Sequence, residues 1–319
     1  MSDNISKFKQ LIEDKENFLL ITHLSPDGDA VGATVAFFEY LKSRGKNVKM
    51  IADTPVPEIF SYLKWADQFK DDFLIGDYDA IILLDCGDLR RSGFADRILE
   101  SKGKVKIVNI DHHPQNDIWK IATVNLADTS SPSTCQILYQ LFTGWGVKIS
   151  IDQATALLTG IYYDTGGFLH SNTNNQVFDV TSQLLHLGAK LKKIQKSVWQ
   201  SRTTPMLKLW GLALNKMIVD RKLGLIISII RQEDIEKLNA CEDDLSGLVN
   251  VLDLAEEAKA AILLYETSDG KIKGSLRTEK DNIDVSCIAA MFGGGGHKKA
   301  AGFTIDGQFE KTRNGWKVI

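Results

Sequence analysis

Val105-Lys106-Ile107-Val108-Asn109-Ile110-Asp111-His112-His113-Pro114 decides how this chain is read. An apolar run of strand length stops abruptly in an acid and two imidazoles. Such groups at the end of a buried strand are costly to place unless they are paired or hold a metal. The stretch therefore predicts a strand over 104–110 that delivers Asp111, His112 and His113 to a metal ion.

Working outward, three more apolar runs within the first 165 residues end in ligands of the same kind. Phe18-Leu19-Leu20-Ile21 leads into His23-Leu24-Ser25-Pro26-Asp27-Gly28-Asp29. Leu83-Leu84 leads into Asp85-Cys86-Gly87-Asp88, and Ile161-Tyr162-Tyr163 into Asp164. The tight 23–29 loop can send Asp27 and Asp29 to opposite sides, one toward each of two metals. The same residues are also ordinary turn chemistry capping the next helix, and spacing alone leaves both readings open. Asp88 reads as a cap rather than a ligand.

These runs belong to an alternating pattern. Strands are expected at 17–22, 48–52, 80–84 and 104–110, with an edge strand at 123–125. Helices are expected at 4–13, 30–44, 58–65, 94–101, 133–142 and 152–163. Unbroken apolar strands alternating with amphipathic helices predict a doubly wound, mostly parallel α/β sheet. Ligands gather beyond the carboxyl ends of such strands. His23, Asp85 and Asp111–His113, far apart in sequence, are thus predicted to meet at one crevice.

From residue 188 the composition turns basic, with nine Lys or Arg against one acid between Lys190 and Lys222. A connecting helix over 188–210 is expected, with a break at Thr203-Thr204-Pro205, separating a domain over 1–187 from one over 211–319. The second domain reads as a smaller α/β unit facing the first across a cleft. Its strands fall at 223–230, 260–266, 271–277 and 303–305, and its helices at 245–253 and 285–292. Gly293-Gly294-Gly295-Gly296-His297-Lys298-Lys299 lets backbone amides approach an anion. A glycine run by itself reads as a flexible loop, but beside Arg277 and the basic connector it reads as an electropositive wall for a phosphate chain.

The bulk properties agree with this reading. The chain has 319 residues, 44% of them hydrophobic, and a net charge of -3, so it has ample core and no global pull toward nucleic acid or membrane. No signal-like N-terminus or membrane-length apolar run occurs, and Cys86, Cys135, Cys241 and Cys287 form no Cys-x-x-Cys pair. A cytoplasmic location is expected.

Two His and four Asp without cysteine suit manganese, with magnesium as the alternative, better than structural zinc. Two such ions about 4 Å apart lower the pKa of a shared water and clamp the oxygens of an in-line phosphoryl displacement. Hydrolysis of a phosphoester follows.

At this point the residues resemble a known family, the DHH phosphoesterases with a DHH-associated C-terminal domain, and within it the nanoRNase/pAp phosphatase type. His23 to Gly32 looks like the first motif, Leu83-Leu84-Asp85 the second, Asp111-His112-His113 the third and Asp164 the fourth. Ser275-Leu276-Arg277 and Gly294 to Gly302 look like the C-terminal substrate motif. One departure is Ala33, where serine is frequent; it touches no proposed ligand.

The resemblance implies that His23, Asp27 and Asp85 hold one manganese ion. Asp29, Asp85, His112 and Asp164 would hold the other, with Asp85 bridging. It further implies that His113 faces the scissile phosphate, that Asp111 orients the histidines, and that Arg277, Gly294, Gly295, Gly296 and His297 grip the substrate across the cleft. Short single-stranded RNA and small adenine nucleotides are the implied partners, and neither duplex DNA nor membrane. The oligomeric state is left open, a homodimer included. Linear or cyclic di-AMP is the alternative substrate, and a non-hydrolytic nucleotide sensor the alternative class. Pyrophosphate fits the basic connector and Gly-His stretch less well.

Overall fold

The computed structural model describes residues 2–200, 202–256, 258–312 and 315–319. The chain divides into two compact units, residues 1–201 and 202–319.

The first unit runs α1 (Ser2–Asp14), β1 (Asn17–Ile21), α2 (Gly28–Ser43), β2 (Asn47–Ile51), β3 (Ala80–Leu84), α3 (Ala95–Ser101), β4 (Lys106–Asp111), β5 (Val124–Ala127), α4 (Thr134–Gly144), α5 (Ile151–Asp164), α6 (Asn175–His186) and α7 (Leu191–Gln200). Its five strands pair in the order β2-β1-β3-β4-β5, and every pair is parallel. This is a doubly wound order whose direction switches between β1 and β3, where the fold opens a crevice at the strand ends.

Side chains alternate across the sheet. Phe18, Leu20, Ile82, Leu84, Val108 and Ile110 join one core with α1, α2, α4 and α5. Leu19, Ile21, Ile81, Leu83 and Ile107 join a smaller one with Ile98 of α3 and with Phe94 just before that helix. Burial on both faces explains why these strands read as unbroken apolar runs. Helix α2 starts where the Asp27 carboxylate accepts the N–H groups of Asp29 and Ala30, and stops at Gly45 with φ 77°. Ser150 and Gln153 close a capping box at the start of α5.

The second unit runs α8 (Thr204–Asn215), β6 (Ile218–Asp220), β7 (Leu225–Ile230), α9 (Gln232–Lys237), α10 (Leu248–Leu252), β8 (Ala260–Glu266), β9 (Lys271–Arg277), α11 (Val285–Met291), β10 (Gly295–His297), β11 (Ala300–Asp306), β12 (Phe309–Thr312) and β13 (Gly315–Val318). Six strands form a mixed sheet in the order β10-β11-β9-β8-β7-β6, with only β7 and β8 parallel; β12 and β13 form a separate hairpin. One face carries α8 and α10 through Trp210, Leu248 and Leu252, and the other carries α11 through Val285 and Ala289.

Several expectations change in detail. The helix over 58–65 is two single 3-10 turns, at Glu58–Phe60 and Ala66–Gln68. The helix over 245–253 is a 3-10 turn at Glu242–Leu245 followed by α10, parted by Gly247 at φ 78°. The stretch 188–210, expected as one connector, contributes α7 to the first unit and α8 to the second. Ile194 is buried in the first core and Leu209 in the second. No helix among the described residues is long and apolar enough to cross a membrane.

Candidate active site

The candidate ligands gather at the strand ends of the first unit, from the loops after β1, β3 and β4, the first turn of α2 and the end of α5, and local bonds aim them. His23 follows β1 and is buried; its Nδ1 donates to Leu24 O at 2.7 Å, which turns Nε2 inward. Nε2 lies 3.8 Å from both Asp27 Oδ2 and Asp85 Oδ2 and has no hydrogen-bond partner among the described residues. A buried imidazole nitrogen whose lone pair faces two carboxylates is repelled by both, and a cation between them removes that repulsion.

Asp27 has one oxygen engaged as the α2 cap, with Asp29 N at 2.9 Å and Ala30 N at 3.1 Å, leaving Oδ2 toward His23. Burial pushes its carboxyl up, but His23 and the two amides outweigh it and the net shift is downward. Asp29 is fully buried against the N-terminus of α4, where Oδ2 accepts from Thr134 N at 2.6 Å and Oδ1 from Cys135 N at 2.9 Å. Those amides and the helix dipole favour the anion. Even so, burial first and Asp27 next raise its carboxyl.

Asp85 sits at the centre. Its backbone has φ 60°, a left-handed conformation uncommon outside glycine, asparagine and aspartate. Its Oδ1 accepts from Thr134 Oγ1 at 3.0 Å and lies 3.4 Å from His112 Nε2 and 3.5 Å from His113 Nδ1. Burial, then Asp29, Asp27, Asp164 and Asp111 in turn, push this carboxyl well above its ordinary value. His112 Nε2 also lies 3.3 Å from Asp164 Oδ2 at the end of α5, and burial holds the His112 imidazole below its usual range. The Asp164 carbonyl accepts from His170 Nδ1 at 3.1 Å and Asn172 Nδ2 at 3.2 Å.

Asp111, expected to orient the histidines, lies against His113. Oδ2 accepts from Gly87 N at 2.8 Å, and Oδ1 from His113 N at 3.0 Å and His113 Nδ1 at 2.7 Å. The His113 contact outweighs burial and lowers the Asp111 carboxyl. With Nδ1 committed, His113 presents Nε2, which accepts from Arg91 Nη1 at 3.2 Å. Asp88 Oδ1 accepts from Arg91 N at 2.8 Å.

Three ligand sets result, His23/Asp27/Asp85, Asp85/His112/His113 and Asp29/His112/Asp164, each with its ligand atoms within 4.8 Å of one another. Oxygen and imidazole donors of this kind suit hard divalent cations, so the residues fit the metal the sequence implies. Spacing did not point to Arg91, Thr134 or Gly87, since each enters the site through loop closure or helix packing.

In the second unit Arg277 ends β9, and its Nε donates to Asn250 Oδ1 at 2.7 Å. Asp253 follows on the same side; burial, then Glu279, push its carboxyl up to about 6, with Arg277 opposing. The glycine stretch is a tight hairpin rather than an open loop. His297 pairs with Ala300, which pairs in turn with Arg277, so His297 and Arg277 share a row and a face of the sheet. Two strand spacings set their Cα atoms about 10 Å apart. Gly294 and Gly296 are needed by packing: a Cβ on either would overlap backbone of β11. Lys299 is occupied by Glu279 O and Asp281 Oδ1, both at 2.9 Å.

A parallel α/β sheet that gathers buried carboxylates and imidazoles beyond its strand ends, with a smaller mixed-sheet unit behind it in sequence, defines a hydrolase of the metal-assisted class. Residues 17–161 match the DHH family, N-terminal domain, and residues 224–314 match the DHHA1 domain. The chain belongs to the DHH family. Among curated relatives, the bifunctional oligoribonuclease and PAP phosphatase NrnA of Thermus thermophilus is 28% identical, covering 90% of this chain and 84% of its own. Its Bacillus subtilis namesake is 25% identical, covering 91% and 90%. Among solved structures, an exopolyphosphatase-related protein from Bacteroides fragilis superposes with a TM-score of 0.90 at 25% identity, over 97% of this chain and 92% of that one.

Proposed function

We propose that this DHH-family phosphoesterase hydrolyses short oligoribonucleotides and 3'-phosphoadenosine 5'-phosphate with two manganese ions. His23, Asp27 and Asp85 would hold one ion, and Asp29, Asp85, His112 and Asp164 the other. The observation that carries the reading is Asp85, fixed at φ 60° between His23 and the His112–His113 pair, where one carboxylate reaches both ligand sets. The ions, when bound, supply an activated water and charge neutralisation at the phosphoryl oxygens.

The chain's own residues do the rest. Asp111 holds the Nδ1 proton of His113, so Nε2 is the atom offered to the substrate. Thr134 and the α4 amides hold Asp85 and Asp29 in place. Asn250 steadies Arg277, whose terminal nitrogens then serve the substrate's non-reacting end together with His297 and the Gly294–Gly296 strand. The named activity of the Thermus and Bacillus relatives supports this choice of substrate. Four free thiols, two of them exposed, suit a cytoplasmic location.

The test is product release from equal concentrations of pAp, pApA, a 5'-labelled RNA trimer and pyrophosphate, with manganese and again with chelator. Chelator-sensitive turnover of pAp and the trimer is expected. Turnover of pyrophosphate alone, or stoichiometric retention of uncleaved nucleotide, would overturn the reading; pApA cleaved far faster than either would redirect it to di-AMP.

A further inference from the structure

We propose that Arg91 is a substrate-contacting residue, the cation that meets the phosphoryl group beside His113. This rests on the phosphoesterase reading above and adds a residue that the motif pattern did not supply.

Arg91 lies in the 3-10 turn Arg90–Ser92 that follows β3. Two backbone bonds fix it: its N–H donates to Asp88 Oδ1 at 2.8 Å, and its carbonyl accepts from Leu24 N at 2.7 Å. The turn thereby ties the loop carrying Asp85 to the loop carrying His23. From there the guanidinium reaches His113 Nε2 at 3.2 Å, the nitrogen that Asp111 has turned toward the substrate. Gly87 makes room: with φ 70°, a Cβ there would lie 2.5 Å from Arg91 Nη1 and 3.5 Å from His113 Cδ2.

The electrostatics explain what the guanidinium is for. The site is dominated by carboxylates, and among the described residues its ion pairs join those carboxylates to imidazoles. Arg91 enters none of them; its side chain meets an imidazole nitrogen of His113 instead. A guanidinium carries five donors in a rigid fork matched to phosphoryl oxygens, and one contact to an imidazole uses a small part of that capacity. A cation kept out of carboxylate pairing, half-buried, and held against the residue that faces the scissile group is placed to bind an incoming dianion.

The experiment compares Arg91→Ala, Arg91→Gln and the exposed neighbour Arg90→Ala in the manganese-loaded protein. Steady-state kinetics on pAp is combined with calorimetric titration of inorganic phosphate and of manganese. Arg91→Ala is expected to lower kcat/KM by about 10²–10³, the usual cost of losing one transition-state donor, and to weaken phosphate binding at least tenfold, with manganese binding unchanged. Arg91→Gln keeps a donor for His113 but not the charge, so it is expected to fall as far. Arg90→Ala is expected to match the wild type.

Recovery of kcat/KM in Arg91→Gln, or a drop in kcat with phosphate affinity intact, would show that Arg91 only props His113 and would overturn the proposal. Should Arg91→Ala fail to fold, the Gln variant decides alone. If the wild type cleaves no phosphoester, the functional reading fails, and the phosphate titrations still decide Arg91.

Discussion

Asp85 is the most heavily loaded residue in the molecule. It is buried, left-handed in backbone, and surrounded by Asp29, Asp27, Asp164 and Asp111, all of which raise its carboxyl. Without a cation the cluster is self-repulsive, so the site exchanges stability for function. Asparagine tolerates φ near 60° and keeps an acceptor for Thr134 while shedding the charge. Asp85→Asn is therefore expected to stabilise the metal-free protein by about 0.5–2 kcal/mol while abolishing manganese binding and turnover. Urea denaturation in chelator, beside a manganese titration, checks both halves; a variant less stable than wild type in chelator would contradict the repulsion argument.

At the scale of elements, α2 and α5 cross closely enough that glycine is required on both. A Cβ on Gly32 would overlap the Ala156 carbonyl, and one on Gly160 would overlap Asp29 Oδ1 and Cys135 Sγ. Alanine is the better helix former by about 1 kcal/mol, yet Gly160→Ala is expected to destabilise by about 1–3 kcal/mol through overpacking and to weaken manganese binding by shifting Asp29. Gly144, near the end of α4, would give its Cβ open space, so Gly144→Ala is expected to be neutral or stabilising. Chemical denaturation of the two variants separates local packing from propensity. The strands were legible in two ways: β3 is buried on both faces and leaves an unbroken apolar run, whereas β9 shows as alternation, with Ile272, Gly274 and Leu276 buried between polar neighbours. His23, Asp85 and His112 were legible because each ends an apolar run. Arg91, Thr134 and Asn250 were not: each reaches its partner through a turn, a helix start or a helix flank whose position depends on packing between segments far apart in sequence. Helix α6 and the β12–β13 hairpin escaped notice because their apolar residues are sparse or partly exposed.

Across the whole molecule, the metal ligand sets among the described residues all fall in the unit spanning 1–201, while the residues expected to take the substrate's far end fall in 202–319. Metal binding is thus a ligand-linked stabilisation of one unit. At free manganese a thousandfold above its dissociation constant, linkage supplies about 4 kcal/mol, which for a domain of this size is about 8–16 °C in Tm. The gain should be written locally in amide exchange. Adding manganese is expected to slow exchange in the loops after β1, β3 and β4, at the start of α4 and at the end of α5, where His23, Asp85, His112, Asp29's amide partners and Asp164 lie. Peptides from β8, β9 and β11 are expected to exchange at their metal-free rate. Mass-spectrometric exchange with manganese, with chelator and with manganese plus AMP reads all three. Slowing centred on the Gly294–His297 hairpin with manganese alone would place the ion in the wrong unit. The nucleotide, by contrast, should slow that hairpin and the Asn250–Arg277 region only when it is added, since their contribution is to the substrate and not to the metal.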